Sequence, residues 1–285
     1  MSIVALSHVT LAVRDLDAAM AAYRTMFARD PACIDTADGA RYAWFQMQNT
    51  ALMIASPTGT GSFGAFLHAR LADAGEGLTS LAFRVNALGV TSRLLERRGI
   101  ATEPALQITV AATAGAPAQI AQQTALAPDF THGVPMLLAE GAPADGPSAA
   151  SADAVSGLDH VVVQSPDPER AIALYGGRLG LDLRLDRSNP AWGTRLLFFR
   201  CGDLVVEVAH SLKEGVRAAA DRLWGLSWRV ANIDAARARL VAAGCDISEI
   251  RTGRRPFTRV CTVRDAAIKV PTILISWPPA TPNPE

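Results

Sequence analysis

The chain has 285 residues, among them 27 basic and 27 acidic ones, so its formal net charge is zero. This length favours two domains that each bury a core, and the balanced charge argues against a whole-protein basic field for nucleic acid. No apolar run approaches the roughly 20 residues of a membrane-spanning helix, the N-terminus shows no signal-peptide pattern, and none of the four cysteines lie at C-x-x-C spacing, which together predict a cytoplasmic protein with reduced thiols.

A short strand followed by an Asp-capped helix opens the chain and recurs in its second half. One offset of 152 residues carries His8 onto His160 and Tyr23 onto Tyr175. Asp167, followed by a proline, marks a strong start for the second of these helices, because Asp caps and Pro suits the first turn. The repeat predicts that the two segments form superposable modules.

A second pair of related segments completes the pattern. The strand at 81–85 matches the strand at 226–230, 145 residues later, and a Val-Pro dipeptide precedes the last strand in both halves. Four modules follow, at roughly 3–57, 77–141, 157–211 and 224–278. In the third, a strand at 158–164 and a helix at 167–179 precede three strand candidates, near 181–186, 194–200 and 203–209. Several strands after one helix favour an α+β fold over alternating parallel α/β.

Two kinds of connecting segment separate the modules. The small, Pro/Gly-rich stretch 141–157 is the best linker, which gives an N-terminal domain at 1–143, a linker at 144–157 and a C-terminal domain at 158–279. A loose stretch at 111–127 predicts a mobile loop. The glycine-rich segment 58–64 lacks the lysine of a phosphate-binding P-loop, so it is interpreted as a flexible connector.

The third module carries the residues of a known pattern. It has a first strand reading Leu-Asp-His-Val at 158–161, a helix with the late Tyr175, and a last strand with Glu207 between valines. This pattern resembles the module of the vicinal-oxygen-chelate superfamily, which includes glyoxalases, bleomycin-resistance proteins and extradiol dioxygenases. The resemblance covers nearly the whole chain. It implies four βαβββ modules paired into two glyoxalase-like domains with cup-shaped mixed sheets, and metal ligands from the first and last strand of each module.

Transferring the ligand positions one at a time leaves the metal set incomplete. The first-strand and last-strand positions of the four modules in turn are His8 and Met53, Ser80 and Leu138, His160 and Glu207, and Gly225 and Leu274. Catalytic zinc or iron sites normally use three or more protein ligands. We therefore expect no metal in the N-terminal domain, allow a divalent metal on His160 and Glu207 only, and disfavour an iron extradiol dioxygenase.

Side chains alternate between the two faces of a strand, so parity predicts which ones line each cup. In the C-terminal cup we assign catalysis to His160, Glu207 and Arg229, and substrate binding to Gln164, Ser227, Ser276 and Arg259. Arg254 and Arg255 are further candidates for an anionic group. The N-terminal cup would hold His8, Ser80, Arg84 and Glu140. The histidines and arginines also have structural alternatives: His8 and His160 could be inert, hydrogen-bonded relics of the family, and His160 with Glu207 could form a structural ion pair. The arginines could pair with local acids or protect a hairpin edge.

The sequence leaves two functions open. The first is proton transfer next to a carbonyl, of the lyase or isomerase type, on a small anionic or carbonyl-containing molecule. The second is non-catalytic binding or sequestration of a small molecule. In both cases the partner is a small-molecule ligand, with no nucleic acid and no membrane, and the protein is a monomer or homodimer.

Overall fold

The structure is a computed structural model that describes residues 3–110, 119–141 and 146–278. Its helices are α1 (Leu16–Phe27), α2 (Ser62–Asp73), α3 (Leu88–Arg97), α4 (Pro168–Ala171), which continues as a π-helix over Ile172–Arg178, and α5 (Ile233–Ala242). Short 3-10 turns occur at Pro128–Phe130 and Ala266–Ile268. Among the described residues, no helix has the length and apolarity to cross a membrane.

Sixteen strands lie within the described residues. Those of the N-terminal half are β1 (Ile3–Ala12), β2 (Cys33–Ala37), β3 (Ala40–Gln46), β4 (Ala51–Pro57), β5 (Gly77–Val85), β6 (Leu106–Val110), β7 (Gln119–Ala125) and β8 (Met136–Glu140). Those of the C-terminal half are β9 (Val155–Gln164), β10 (Asp182–Asn189), β11 (Thr194–Cys201), β12 (Leu204–Ser211), β13 (Arg222–Val230), β14 (Arg251–Thr252), β15 (Arg259–Val263) and β16 (Thr272–Ser276).

Each half of the chain forms one eight-stranded mixed sheet, and the two sheets have the same strand order. The orders are β2-β3-β4-β1-β5-β8-β7-β6 and β10-β11-β12-β9-β13-β16-β15-β14. In both sheets the first strand of one module pairs in parallel with its own last strand and antiparallel with the first strand of the next module. The α+β prediction, with four βαβββ modules paired into two cup-shaped sheets, is confirmed.

The helix of each odd-numbered module buries an equivalent tyrosine. Tyr23 in α1 and Tyr175 in the π-helical part of α4 are both fully buried. The hydroxyl of Tyr23 donates a hydrogen bond to the carbonyl of Ile268, at 3.0 Å, and so ties the first module to the fourth. Their equivalence confirms that the 152-residue offset reflects a structural repeat.

The two sheets are joined through Asn49, which lies in the turn between β3 and β4. Its Nδ2 donates to the Leu158 carbonyl at 2.8 Å and to Asp203 Oδ1 at 2.9 Å, while its Oδ1 accepts from the Leu158 amide at 2.9 Å. Gly157 is required beside it, because a Cβ there would lie 2.6 Å from Asn49 Oδ1. Asn49 thus bonds the backbone of the strand that carries His160.

The segment interpreted as a flexible connector is instead a capped and packed helix start. Asp38 accepts hydrogen bonds from the backbone amides of Ser62 and Phe63, both at 2.8 Å, and so caps α2. A Cβ on Gly64 would lie 2.3 Å from the Gly39 carbonyl oxygen, so glycine permits this close approach.

The helix that follows, α2, lies on the concave face of the N-terminal sheet. Its Leu67 and Leu71 pack with Ala12 and Ala55, which share the His8 face of β1 and β4. The prediction of a loop over 111–127 was also wrong in part. Residues 119–125 form β7 and pair with β8, whereas 111–118 lie outside the described residues.

Candidate functional site

The concave face of the C-terminal sheet encloses a cavity of about 670 Å³. Its floor carries His160 and Val162 from β9, Glu207 from β12, and Ser227 from β13. Val161 and Val163 alternate with the floor residues and are fully buried in the core on the other face. The walls are aromatic, aliphatic and basic, and include Leu185, Arg187, Trp192, Phe198, Trp224, Arg251, Arg254, Arg255 and Ile275. An apolar cavity with a few convergent polar groups is the usual form of a small-molecule site.

His160 is held between two hydrogen-bond partners at the bottom of this cavity. Its Nδ1 lies 2.8 Å from Asp159 Oδ1, and its Nε2 lies 2.8 Å from Ser227 Oγ. Glu207 Oε2 stands 3.6 Å from the same Nε2. An ionised Asp159 can only accept, so it fixes the imidazole proton on Nδ1 and leaves the Nε2 lone pair on the cavity side.

Asp159 is a buried carboxylate that is kept ionised by its neighbours. Burial alone would raise its pKa, but the hydrogen bond and charge of His160, the charge of Arg229 and the indole N–H of Trp277 outweigh burial and lower the pKa to about 2. Trp277 Nε1 donates to Asp159 Oδ2 at 2.9 Å, and Arg229 Nε lies 3.3 Å from the same oxygen. The carboxylate is therefore oriented on both oxygens.

Asp159 is the site residue that sequence analysis missed. Strict alternation would turn it away from the cup, because it directly precedes His160. The pairing of β9 with β13 shifts here: His160 pairs with Ser227 and Leu158 with Trp228, so Asp159 has no cross-strand partner. Such an extra residue lets neighbouring side chains serve the same site. An aspartate beside a histidine in an apolar strand was the available signal.

Arg229 does not line the cavity, contrary to the catalytic role assigned to it. Its Nη1 binds Asp203 Oδ2 at 2.9 Å while its Nε faces Asp159. The structure thus shows the local ion pair that was the alternative for this arginine. Arg229 therefore contacts the Asp159 carboxylate from outside the cavity.

Two of the four predicted substrate-binding residues lie on the opposite face of the sheet. Ser227 pairs with Ile273, whereas Leu274 pairs with the core residue Trp228. The Val-Pro alignment was therefore one residue out of register, and Ser276 lies on the Leu274 face. Arg259 pairs with Ser276 across β15 and β16, and its Nη2 binds Asp234 Oδ1 on α5 at 2.8 Å.

Gln164 lies on the predicted face but outside the main cavity. Its Oε1 accepts from Arg222 Nε at 2.7 Å. It lines a second, smaller cavity of about 330 Å³, together with Ser165 and His210. Ser227 is the predicted substrate-binding residue that the structure places beside His160.

His160 and Glu207 are the two residues of the C-terminal cup predicted as possible metal ligands. The facing positions hold Gly225 and Ile273, neither of which has a donor side chain. A Cβ on Gly225 would lie 2.8 Å from the Pro271 carbonyl oxygen, so the backbone leaves no room for a ligating side chain there. In the described ranges no three His, Cys, Asp or Glu residues are grouped as a metal site. This donor set does not fit a three-ligand catalytic metal.

The N-terminal cup is arranged differently. His8 is buried edge-on against Trp44, with ring centroids 4.8 Å apart, and burial lowers its pKa to about 4. Met53 and Ser80 both pair with Thr10, two residues after His8 on β1, and so share the face of His8.

Two further assignments in this cup are corrected. Glu140 points to the helix side, where its Oε2 accepts from the Leu88 amide at 2.6 Å at the start of α3. Leu138 is fully buried beside Phe83, one residue out of register with the cup. Arg84 pairs with Ala5 and Ala139 near the end of β5.

Comparisons with known proteins agree with this architecture. The model of the Glyoxalase/Bleomycin resistance protein/Dioxygenase superfamily matches residues 159–262. A curated relative, ethylmalonyl-CoA/methylmalonyl-CoA epimerase of Cereibacter sphaeroides, is 31% identical over 97 residues, which cover 32% of this chain and 72% of the relative.

Two solved structures share the fold over almost the whole chain. A mutant of 4-hydroxymandelate synthase from Streptomyces coelicolor superposes with a TM-score of 0.69 at 13% identity, covering 97% of this chain and 93% of that one. The Mn(II)-bound glyoxalase from Novosphingobium aromaticivorans has a TM-score of 0.67 at 13% identity, covering 96% and 82%. With its repeated modules, its paired sheets and the curated relative, the chain belongs to the glyoxalase/bleomycin resistance protein/dioxygenase superfamily.

Proposed function

We propose that this protein catalyses proton transfer at a carbon next to a carbonyl group, in the C-terminal cavity, with His160 as the base. The observation that carries the proposal is the Asp159–His160 pair at 2.8 Å, which leaves the Nε2 lone pair facing the cavity beside Glu207. A histidine oriented by a carboxylate is a common general base.

The chemistry follows from the positions of these groups. His160 Nε2 removes the proton from the substrate carbon, and the electrons of the C–H bond move into the adjacent carbonyl to form an enolate. Asp159 stabilises the imidazolium formed, because it stays ionised. The Ser227 hydroxyl, released from Nε2 when the proton arrives there, is free to donate to the enolate oxygen. Glu207, 3.6 Å from Nε2, is the second group able to exchange a proton with the substrate.

The substrate class is anionic because the cavity walls are basic. Arg254 and Arg255, rather than Arg229, are placed to hold a carboxylate or phosphate. The curated relative is by name an epimerase for ethylmalonyl-CoA and methylmalonyl-CoA. These thioesters carry an acidic C–H between two carbonyl groups, which is the reactivity that His160 would serve.

The proposal is tested by incubating the protein in D2O with 2-substituted malonyl thioesters and with 2-oxoacids. Exchange of the C–H proton next to the thioester or keto carbonyl is followed by NMR. We expect catalysed exchange with at least one of these anionic carbon acids and loss of exchange in His160→Ala and in Glu207→Ala. Ser276→Ala is the matched control, because Ser276 lies on the opposite face of the sheet, and it should exchange at the wild-type rate. Folding of each variant is checked by thermal melt, since an unpaired buried partner costs about 1–3 kcal/mol.

A non-catalytic binding protein is the second candidate. The aromatic lining of the cavity, with Trp192, Phe198 and Trp224, favours it, because such walls hold a flat ligand without any chemistry. Stoichiometric binding of a ligand that is returned without deuterium at the α-carbon would favour this function over catalysis.

A further inference from the structure

Two hairpins of the C-terminal sheet meet across the mouth of the cavity. The turn between β10 and β11 carries Trp192, and the loop between β14 and β15 carries Arg254 and Arg255. The Arg254 guanidinium lies 4.7 Å from the Trp192 ring centroid. The Arg255 guanidinium lies 5.2 Å from the rings of Phe198 and of Trp277. The two arginines of this loop thus make cation–π contacts with aromatic side chains.

The cavity lining carries more positively charged than negatively charged side chains. Within residues 3–110, 119–141 and 146–278, the four arginines that line the cavity form no ion pair; they are Arg187, Arg251, Arg254 and Arg255. The carboxylates of the lining are Asp159 and Glu207, and Asp159 already faces Arg229 from outside the cavity. Elsewhere in this domain Arg195, Arg239 and Arg259 each bind an aspartate.

Protection of an edge strand would explain only Arg251 among these four arginines. β14 is the edge of the sheet, and a charged Arg251 there would discourage pairing with another chain. Arg254 and Arg255, in contrast, lie in the loop after β14, over the Trp192 and Phe198 rings that line the cavity. A stacked guanidinium keeps its N–H edge free for a carboxylate or phosphate.

We propose that this mouth, formed by Arg254, Arg255 and Trp192, is a clasp for a ligand that combines a flat ring with at least two negative charges. The aromatic side chains hold the ring, and the two stacked arginines bind the anionic oxygens in a bidentate manner. The ligand supplies the counter-charge that the cavity lacks. This inference rests on the proposed function in naming the substrate class of the same cavity.

A flat ring with two negative charges can belong to an aromatic diacid or to a nucleotide, and two probes distinguish these ligands. Benzene-1,3-dicarboxylate represents an aromatic diacid, and adenosine 5′-monophosphate represents a nucleotide portion of a larger substrate. Ribose 5-phosphate carries the charge without the flat ring, and benzamide carries the ring without the charge. Binding is followed by quenching of tryptophan fluorescence on the wild-type protein.

We expect at least one of the two flat dianions to bind about tenfold more tightly than both ribose 5-phosphate and benzamide. The double variant Arg254→Gln with Arg255→Gln should weaken that dianion about tenfold or more, and raised salt should weaken it in the wild type. Arg264→Gln is the matched control, because Arg264 is an exposed arginine outside the cavity lining that pairs with Asp246. It should bind like the wild type.

Equal affinity for benzamide and the dianions, or a double variant that binds within about twofold of the wild type, would overturn the clasp. Binding is also measured on His160→Ala, which lacks the proposed base but keeps both arginines. Retained dianion binding there, without proton exchange in the wild type, would remove the proposed catalysis and leave the clasp standing. If the wild type exchanges protons but shows no preference for dianions, the proposed catalysis stands and the clasp is removed.

Discussion

Asp159 and His160 are neighbours in the chain, yet their side chains hydrogen-bond to each other, with Nδ1 and Oδ1 2.8 Å apart. The irregular pairing of β9 with β13 makes this possible, because Asp159 has no cross-strand partner. The pair resembles other carboxylate–histidine pairs in its physics: the acceptor fixes the tautomer, and the buried charge favours the imidazolium that forms when Nε2 takes a proton.

Replacing Asp159 by Asn tests this relationship. The amide keeps the size of the carboxylate but removes its charge, so the imidazolium is no longer stabilised. We expect the rate of α-proton exchange to fall about 100-fold, while binding of an anionic ligand at the clasp changes little. Asp203→Asn is the control, because it removes the other carboxylate that binds Arg229 and leaves the His160 contact in place. A rate within about threefold of wild type in Asp159→Asn would contradict the role given to this residue.

Ser227 gives a second prediction. Its hydroxyl lies 2.8 Å from His160 Nε2 and is itself buried. In Ser227→Ala the base keeps Asp159 but loses the donor proposed for the enolate oxygen. We expect a fall of about 10-fold to 100-fold in the exchange rate with an unchanged melting temperature within a few degrees. Ser227→Thr, which restores the hydroxyl, should recover most of the exchange rate, and a rate in Ser227→Ala equal to the wild type would contradict the role of this hydroxyl.

His8 predicts a pH dependence of stability. Burial lowers its pKa to about 4 from 6.5, so the unfolded state binds more protons than the folded state between pH 6.5 and pH 4. Its contribution is therefore complete above pH 6.5 and is lost as the pH falls through this range. We expect the free energy of unfolding to drop by about 2 kcal/mol between pH 7 and pH 5 from this group, as measured by urea denaturation.

The control for that measurement is His68, an exposed residue of α2. His8→Leu should flatten the dependence on pH, and His68→Gln should keep the wild-type slope. If His8→Leu and the wild type lose the same free energy between pH 7 and pH 5, the buried neutral imidazole is not the cause.

Asn49 gives a prediction about the contact between the two sheets. Its side chain makes three hydrogen bonds, two of them to the backbone of Leu158. Asn49→Ala leaves these buried backbone groups without partners, and we expect a loss of about 2–4 kcal/mol in unfolding free energy. Gln48→Ala, at the exposed neighbouring position of the same turn, should change stability by less than about 0.5 kcal/mol. Equal melting temperatures for the two variants would show that the bonds of Asn49 contribute nothing measurable.

The fold was predictable because the sequence contains a repeat whose two copies form the same structural elements. Matching His8 with His160 and Tyr23 with Tyr175 places the same strand and helix in both halves. The elements of one module could therefore be used to predict those of the other. The strands of the third module lie within a few residues of their predicted positions for the same reason.

The site was less predictable because face assignment depends on register. A shift of one residue turns every side chain of a strand to the other face, and the Val-Pro alignment was displaced by one. Ser276 and Glu140 were consequently assigned to the cups although they lie on the helix side. Arg229 had the right strand, but its partner Asp203 comes from a neighbouring turn that no local pattern connects with it. The irregular pairing at Asp159 breaks alternation altogether, so parity alone could not place this carboxylate beside His160.

The central claim is that the C-terminal cavity, through His160, carries out proton transfer. It is tested most directly by comparing His160→Gln with His8→Gln in a single D2O exchange experiment, using the carbon acid that the wild type exchanges fastest. We predict that His160→Gln lowers the exchange rate about 100-fold or more without changing its melting curve. In His8→Gln, the folded protein should exchange at the wild-type rate, so any loss should match its unfolded fraction. Full exchange by a folded His160→Gln, with loss of exchange in a folded His8→Gln, would contradict the account and move the active site to the N-terminal sheet.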